Sequence, residues 1–158
     1  MNRKPSFDWP KNLKHKLSIL LAESFPAWYF LFFYKQVGKN YYWTDWLRKS
    51  EDEIDEFVND KNVLLYTLIK DGWPVGFYML DYRKKDICDL SFFGLVDEVI
   101  GIGLGKYLLQ TAILTAWDSR KIKKLTVNTC SLDHKSAIYL YQKYGFTPVK
   151  YKDLEKTV

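Results

Sequence analysis

The run Ile100-Gly101-Ile102-Gly103-Leu104-Gly105-Lys106 carries the residue types that bear most directly on chemistry. It follows a strand-like stretch and opens a helix-like one. A helix N-terminus presents backbone N–H groups without intrahelical partners, and a partial positive charge, which suits a pyrophosphate. The glycines let another group approach the backbone closely and permit dihedral angles closed to other residues. The same G-x-G-x-G spacing also occurs as a plain tight turn, so spacing leaves both readings open. A dinucleotide-binding unit is a poor match. It places its glycine-rich turn early in a parallel unit, with an acidic residue about twenty positions later. Here the turn comes after an antiparallel meander, and Lys121 to Lys124 is basic.

A second segment runs from Asn128 through Cys130, Asp133 and His134, then Ala137, then Tyr141 to Phe146. Asp133 reads as the N-cap of the following helix, its oxygen accepting a backbone N–H. An imidazolium at His134, beside a helix start, is disfavoured by the dipole. A neutral, hydrogen-bonding His134 fits, and a purely structural hydrogen bond fits equally. Tyr141 lies on an apolar stripe, so its spacing alone reads as core.

These segments need elements to position them. Leu17 to Ala22 has the length and apolarity of a strand. Pro26 stands where it can open a helix at its first position. The helix runs over Ala27 to Val37, with Gly38 as its stop. Asn40 to Trp46 is an aromatic loop or short helix. Ser50 and Glu53 make an S-x-x-E capping box for a helix from Glu51 to Asn59 that turns Ile54, Phe57 and Val58 inward. Asn62–Lys70 and Trp73–Asp81 flank Asp71-Gly72, a tight hairpin turn. Arg83 to Asp86 is a polar turn before a third strand, Ile87 to Val96. The glycine-rich loop then leads into a helix reaching about Ser119, with Leu104, Leu108, Ala112 and Ala116 on one face. A strand over Leu125 to Cys130, a helix over His134 to Tyr144 closed by Gly145, and a last strand over Phe146 to Tyr151 complete the order. The predicted stripe of that last helix is Ala137, Ile138, Leu140, Tyr141 and Tyr144. The crossover requires one parallel pair, so the predicted fold is α/β (α+β): a mixed, mainly antiparallel sheet flanked by about four helices. No repeat or linker interrupts residues 1–158, which reads as one domain with its core at about 17–151.

Composition narrows the function classes. At 158 residues and 47% hydrophobic, the chain can bury a sizeable core. The net charge of +5 is dispersed rather than gathered in a patch, which argues against a nucleic-acid surface and suits a small polyanion. Two cysteines without C-x-x-C spacing and two histidines argue against a disulfide scaffold and a metal site. They also point to a reducing, cytoplasmic setting. The most apolar stretch, Leu17 to Tyr34, is broken by Glu23, Ser24 and Pro26, so no membrane span is expected.

The blocks FFGLVDEVIGIGLGKYLL and VNTCSLDHKSAIYLYQKYGF, with this element order, resemble the GNAT superfamily of N-acetyltransferases. The likeness is to a subgroup with an IGxGLG loop and a TCxLDH turn, and it covers about Leu17 to Tyr151. The resemblance implies that acetyl-CoA is the co-substrate and that an amine, on a small molecule or a protein, attacks its thioester directly in a ternary complex. It further implies that Phe93, Leu95 and Val96 pair by backbone with the pantetheine arm. The loop from Ile100, through the N–H groups of Ile102, Gly103, Leu104, Gly105 and Lys106, would hold the pyrophosphate. His134 and Ala137 would face the cofactor, and Tyr141 would protonate the departing thiolate. The family usually begins this loop with Arg or Gln where Ile100 stands. That removes a side-chain contact to phosphate and leaves Lys106 or Lys143 to compensate. Asp89, Glu98 and His134 are the candidate bases. Asp89 alternates with Leu90 and could reach the cleft, whereas Glu98 reads equally well as a solvated side chain. A covalent acetyl-Cys130 ranks below direct transfer. Among Trp28, Tyr29, Tyr41, Tyr42, Trp43 and Trp46, the helical pair reads as core and the loop group as the acceptor wall. The expected partners are the acceptor and, for the oligomer, nothing or a second copy. A CoA-binding regulatory module without catalysis is the alternative.

Overall fold

The computed structural model describes residues 1–11, 14–129 and 133–149. The element order is β1 (Leu17–Ala22), α1 (Ala27–Gly38), a 3-10 turn (Asp45–Arg48), α2 (Glu51–Val58), β2 (Val63–Lys70), β3 (Trp73–Asp81) and β4 (Ile87–Leu95). A second 3-10 turn (Asp97–Val99), α3 (Leu104–Ser119), β5 (Lys124–Val127) and α4 (Lys135–Lys143) follow. The five strands form one sheet in the order β1-β2-β3-β4-β5. The first three pairings are antiparallel, and β4 with β5 is parallel. The mixed, mainly antiparallel sheet is as predicted.

Both faces of the sheet are covered, so its central strand carries no charged side chain before Asp81 at its end. Along β3, Phe77 and Met79 pack with Phe30, Phe33 and Phe57 from α1 and α2. Tyr78 and Leu80 face the other way, against Leu108, Ala112 and Ile113 of α3. The period-two alternation of a strand thus feeds two cores. The predicted α3 stripe of Leu104, Leu108, Ala112 and Ala116 is buried as a row.

Local chemistry explains the element ends. Ser50 and Glu53 satisfy each other's backbone N–H groups in the predicted capping box. Asp71 and Gly72, with φ of 52° and 91°, turn the β2–β3 hairpin. Pro26 is the N-cap of α1, not its first helical residue, and Gly38 lies inside the helix, not beyond it. What Gly38 supplies is space: a Cβ there would lie 2.3 Å from Trp43 Cβ. The N-cap of α4 is His134 and not Asp133. Trp28 is exposed, against the expectation of core, while Trp46 packs between Phe30 and Phe57. Residues 146–149 form no strand, and the rest of the predicted last strand lies outside the described residues, as does Cys130.

The C-terminus of α4 accounts for part of that missing strand. Gly145 has φ of 101°, its N–H bonds Gln142 O, and Phe146 N–H bonds Tyr141 O. This is the Schellman arrangement, completed by the contact of the Phe146 and Tyr141 rings at 5.8 Å. Phe146 is therefore committed to closing the helix, and in doing so it fixes Tyr141. Gly145→Ala places a side chain in the left-handed region and is expected to cost about 1–2 kcal/mol, read as a lower midpoint in denaturant unfolding.

Candidate active site

The site begins where two strands part. β4 pairs with β5 only from Ile87 to Leu90, whereas its pairing with β3 continues to Leu95. The β3–β4 register shifts between Met79 and Leu80, whose partners are Phe92 and Leu90, so Ser91 is the extra residue of a bulge. Beyond it, the backbone groups of β4 that point away from β3 meet no strand among the described residues. They face a cleft of about 380 Å³. Phe93, Gly94 and Leu95 line one side of it, and Val127 and Asn128 of the β5 end line the other.

Asp89 sits at the crotch of this fork. Its carboxylate accepts from Thr126 Oγ1 on β5 at 2.6 Å and from Ser91 Oγ in the bulge at 2.9 Å. It does not line the cleft. Glu98 is exposed on the 3-10 turn after β4 and also lies outside it. Asp89 thus braces the two strands, and Glu98 lies on the turn beyond them. Val96 ends this edge. Its N–H is donated to Val75 O and its carbonyl accepts from Val99, so both backbone groups are already paired.

The glycine-rich turn closes one end of the cleft. Ile100, Gly101, Gly103, Gly105 and Lys106 line it, as expected. Ile102 and Leu104 instead line a second cavity of about 250 Å³, which also touches Gly103, together with Lys11, Lys14 and Tyr107. Gly101 and Gly103 have φ of 89° and 87°, with open space where a Cβ would stand. Gly103 is the N-cap of α3 and offers no side-chain hydrogen bond, and the first turn carries no acidic residue. The helices α2 and α4 are capped by Ser50 and His134 side chains, whereas α3, like α1, has no side-chain cap. Of the two uncapped starts, α3's is the one whose Gly103, Gly105 and Lys106 line the cleft. Lys106, in that first turn, adds a positive charge. This uncapped turn fits a diphosphate. Lys143 is in the last turn of α4 and does not line the cleft.

The helix α4 supplies the other wall. His134 Nδ1 accepts the N–H of Ser136 at 3.2 Å, so the imidazole acts as the cap while lining the cleft. Ala137 and Tyr141 line it as well. Tyr141 packs edge-on against Phe93 of β4 at 6.2 Å. Burial, and then the nearby Asp133 carboxylate, push its phenol above the usual tyrosine range, so it stays protonated at neutral pH.

Three lining residues come from the chain after β1. Val37 on α1 and Tyr41 and Trp43 in the following loop also line the cleft, with the Tyr41 ring 6.1 Å from that of His134. That loop is tied to both prongs of the fork. Asn40 Nδ2 donates to Asp97 at 2.8 Å, beyond the end of β4, and Lys39 lies 3.2 Å from the same carboxylate. Trp43 Nε1 donates to Asp133 at 3.2 Å, beyond the end of β5. Tyr41 and Trp43 were expected on the acceptor side. Asp133, which lines the cleft, was not. Only its place in the same turn as His134 hinted at the site.

The family model described as the acetyltransferase (GNAT) family matches residues 22–146. No curated protein matches the chain. Among solved structures, a GNAT family acetyltransferase from Elizabethkingia anophelis with acetyl-CoA bound is 22% identical, with a TM-score of 0.64, over 85% of this chain and 78% of that one. The aminoglycoside acetyltransferase meta-AAC0020 from an uncultured soil metagenomic sample, in complex with trehalose, is 13% identical. Its TM-score is 0.67, over 90% and 96% of the two chains. The ribosomal-protein-alanine N-acetyltransferase of Brucella melitensis biovar Abortus 2308 is 14% identical, with a TM-score of 0.65 over 90% and 100%. With the forked sheet, the uncapped glycine-rich helix start and a family match over most of its length, the chain belongs to the acetyltransferase (GNAT) family.

Proposed function

We propose that the protein transfers the acetyl group of acetyl-CoA to a primary amine by direct attack within a ternary complex. The observation that carries this reading is the fork. It offers a strand edge to an extended thioester arm and an uncapped helix start to a diphosphate, at adjoining ends of one cleft. Pantetheine carries amide groups that can pair with the free backbone edge of Phe93 to Leu95 as a strand would. The pyrophosphate then meets the N–H groups at Gly103 to Lys106.

Holding both substrates in line supplies much of the rate enhancement. A backbone N–H on the free edge of β4 stabilises the oxyanion that develops on the thioester carbonyl. The amine nitrogen, having lost a proton to water, forms the C–N bond. The C–S bond breaks, and Tyr141 gives its proton to the thiolate. The nitrogen sheds its second proton to solvent, from which the phenolate recovers one. Asp89 keeps the prongs of the fork at their spacing. Tyr41, Trp43 and Val37 line the same cleft and are suited to the acceptor.

Titration calorimetry with acetyl-CoA tests the reading at its base: absence of binding heat overturns it. Gly103→Ala, which forces a Cβ into the left-handed region, is expected to weaken that binding roughly tenfold. Tyr141→Phe is expected to lower kcat by about a hundredfold with acetyl-CoA affinity kept. Unchanged turnover would remove Tyr141 from the mechanism. Binding without transfer to any amine in a mass-spectrometric screen would leave a CoA-binding module instead.

The raised Tyr141 phenol also fixes a sign. The acid is active while protonated, so raising its pKa extends activity towards higher pH. Any alkaline fall in kcat that vanishes in Tyr141→Phe is therefore expected above about pH 10. One centred below about pH 9 would contradict the assignment.

A further inference from the structure

The two edges of the sheet are treated differently. At β5, Met1 lies alongside: its terminal ammonium donates to Leu125 O at 2.9 Å, and its carbonyl accepts the Leu125 N–H at 2.8 Å. At the opposite edge, β1 pairs with β2 alone among the described residues. In an antiparallel pair, alternate residues turn both backbone groups to the neighbour. The Asp71 N–H donates to Lys16 O, so the register gives Ser18, Leu20 and Ala22 to β2 in turn. Leu17, Ile19 and Leu21 therefore present their N–H and C=O groups outward.

Native sheets blunt such an edge with a charge, a proline or a bulge. β1 has none of these. Its residues are Leu-Ser-Ile-Leu-Leu-Ala, and its register with β2 runs without a shift. Leu20 and Leu21 are 55% and 41% exposed, one on each face of the sheet. Apolar surface continues onto α1. Leu20 stands opposite Thr67, whose hydroxyl meets that of Tyr29. Trp28 and Phe32, beside Tyr29 on the helix, are exposed.

Charge falls only at the two ends of this strand. Lys16 precedes it and Glu23 follows it, and both are exposed. Among the described residues neither makes an ion pair. Lys16 acts on Asp71 through space, but that carboxylate is paired with Lys70 at 2.5 Å. A strand with a positive start and a negative end is complementary to a copy of itself running the other way.

We infer that β1 pairs antiparallel with β1 of a second copy about a two-fold axis at Ile19, joining two five-stranded sheets into one. Such an isologous contact sets the same patch of each subunit against the other. Centring it on Ile19 brings every outward-facing residue of β1 into a hydrogen-bonded pair. Leu17 meets the partner's Leu21, Ile19 meets the partner's Ile19, and Leu21 meets the partner's Leu17. These are apolar cross-strand pairs. The same register sets Lys16 beside the partner's Glu23, and the symmetry repeats that contact at the other end. The cleft lies between β4 and β5, at the far side of the sheet, and stays open. The pairing does not depend on the acetyl-transfer reading.

Sedimentation of the full chain over roughly 1 to 100 μM tests the pairing. Wild type is expected to form dimers in that range. Leu21→Lys blunts the edge and should be monomeric throughout, with acetyl-CoA binding by calorimetry within about twofold of wild type. Lys16→Glu and Glu23→Lys should each raise the dimer Kd roughly tenfold at low salt. The chain carrying both reversals regains the complementarity and should return to within about threefold of wild type. A wild type that stays monomeric, a dimer that survives Leu21→Lys, or a double reversal no better than either single one would each overturn the inference. If Leu21→Lys loses its cooperative melt, the exposed charge reversals decide the matter by the same criteria.

Discussion

A parallel strand pair that separates while one partner continues leaves backbone donors and acceptors facing a gap. In this chain β4 carries on from Ser91 to Leu95 after β5 has left it at Leu90. Unpaired backbone groups lining an apolar cleft are costly unless water or a ligand satisfies them. Much of the surrounding structure can be read as holding that gap open at a fixed width. Asp89 binds both prongs at the crotch through Thr126 and Ser91. The loop after α1 reaches both prongs further out, through Asp97 and Asp133. A brace at the base and a strap near the open end make the gap a site of defined width.

Helix capping shows the same division of labour. A helix end without a cap forgoes about 1 kcal/mol; α2 and α4 avoid that with side chains from Ser50 and His134, while α1 and α3 have no side-chain cap. The first turn of α3 has Gly103 in the left-handed conformation and no side-chain cap. Its stability comes from the buried row of Leu104, Leu108, Ala112 and Ala116 against the sheet. Packing makes the cap dispensable for folding, and the free N–H groups become available for binding.

The elements were largely legible because their signals are local. The capping box, the Asp71-Gly72 turn and the spacing of the α3 stripe each depend on residues a few positions apart. The glycine-rich turn was legible for the same reason, and so was the presence of Tyr141 near it through the motif. What escaped was set by contacts far apart in sequence. Gly38 reads as a helix stop, yet its role is to admit Trp43. Asp133 reads as an N-cap, yet it bonds a tryptophan 90 positions away. Asp89 reads as a possible base, yet its two hydroxyl partners are apparent only once the β4–β5 register places Thr126 opposite it. Phe146 looks like the start of a strand until the Schellman contact with Tyr141 claims it.

The distribution of these long-range contacts separates what the fold shares from what belongs to this chain. The residues proposed to face the cofactor lie in two compact stretches, the glycine-rich turn and the face of α4, so a short motif can record them. Three other lining residues have a different origin. Val37, Tyr41 and Trp43 come from α1 and its following loop, and they reach the cleft only because Gly38 lacks a side chain and Tyr34 and Phe92 flank Trp43. That loop can change its side chains while the fork, the uncapped helix and the Asp89 brace stay as they are. The residues around the cleft are thus drawn from separate segments of the chain, and the hydrogen bond between Trp43 and Asp133 ties the loop after α1 to the start of α4.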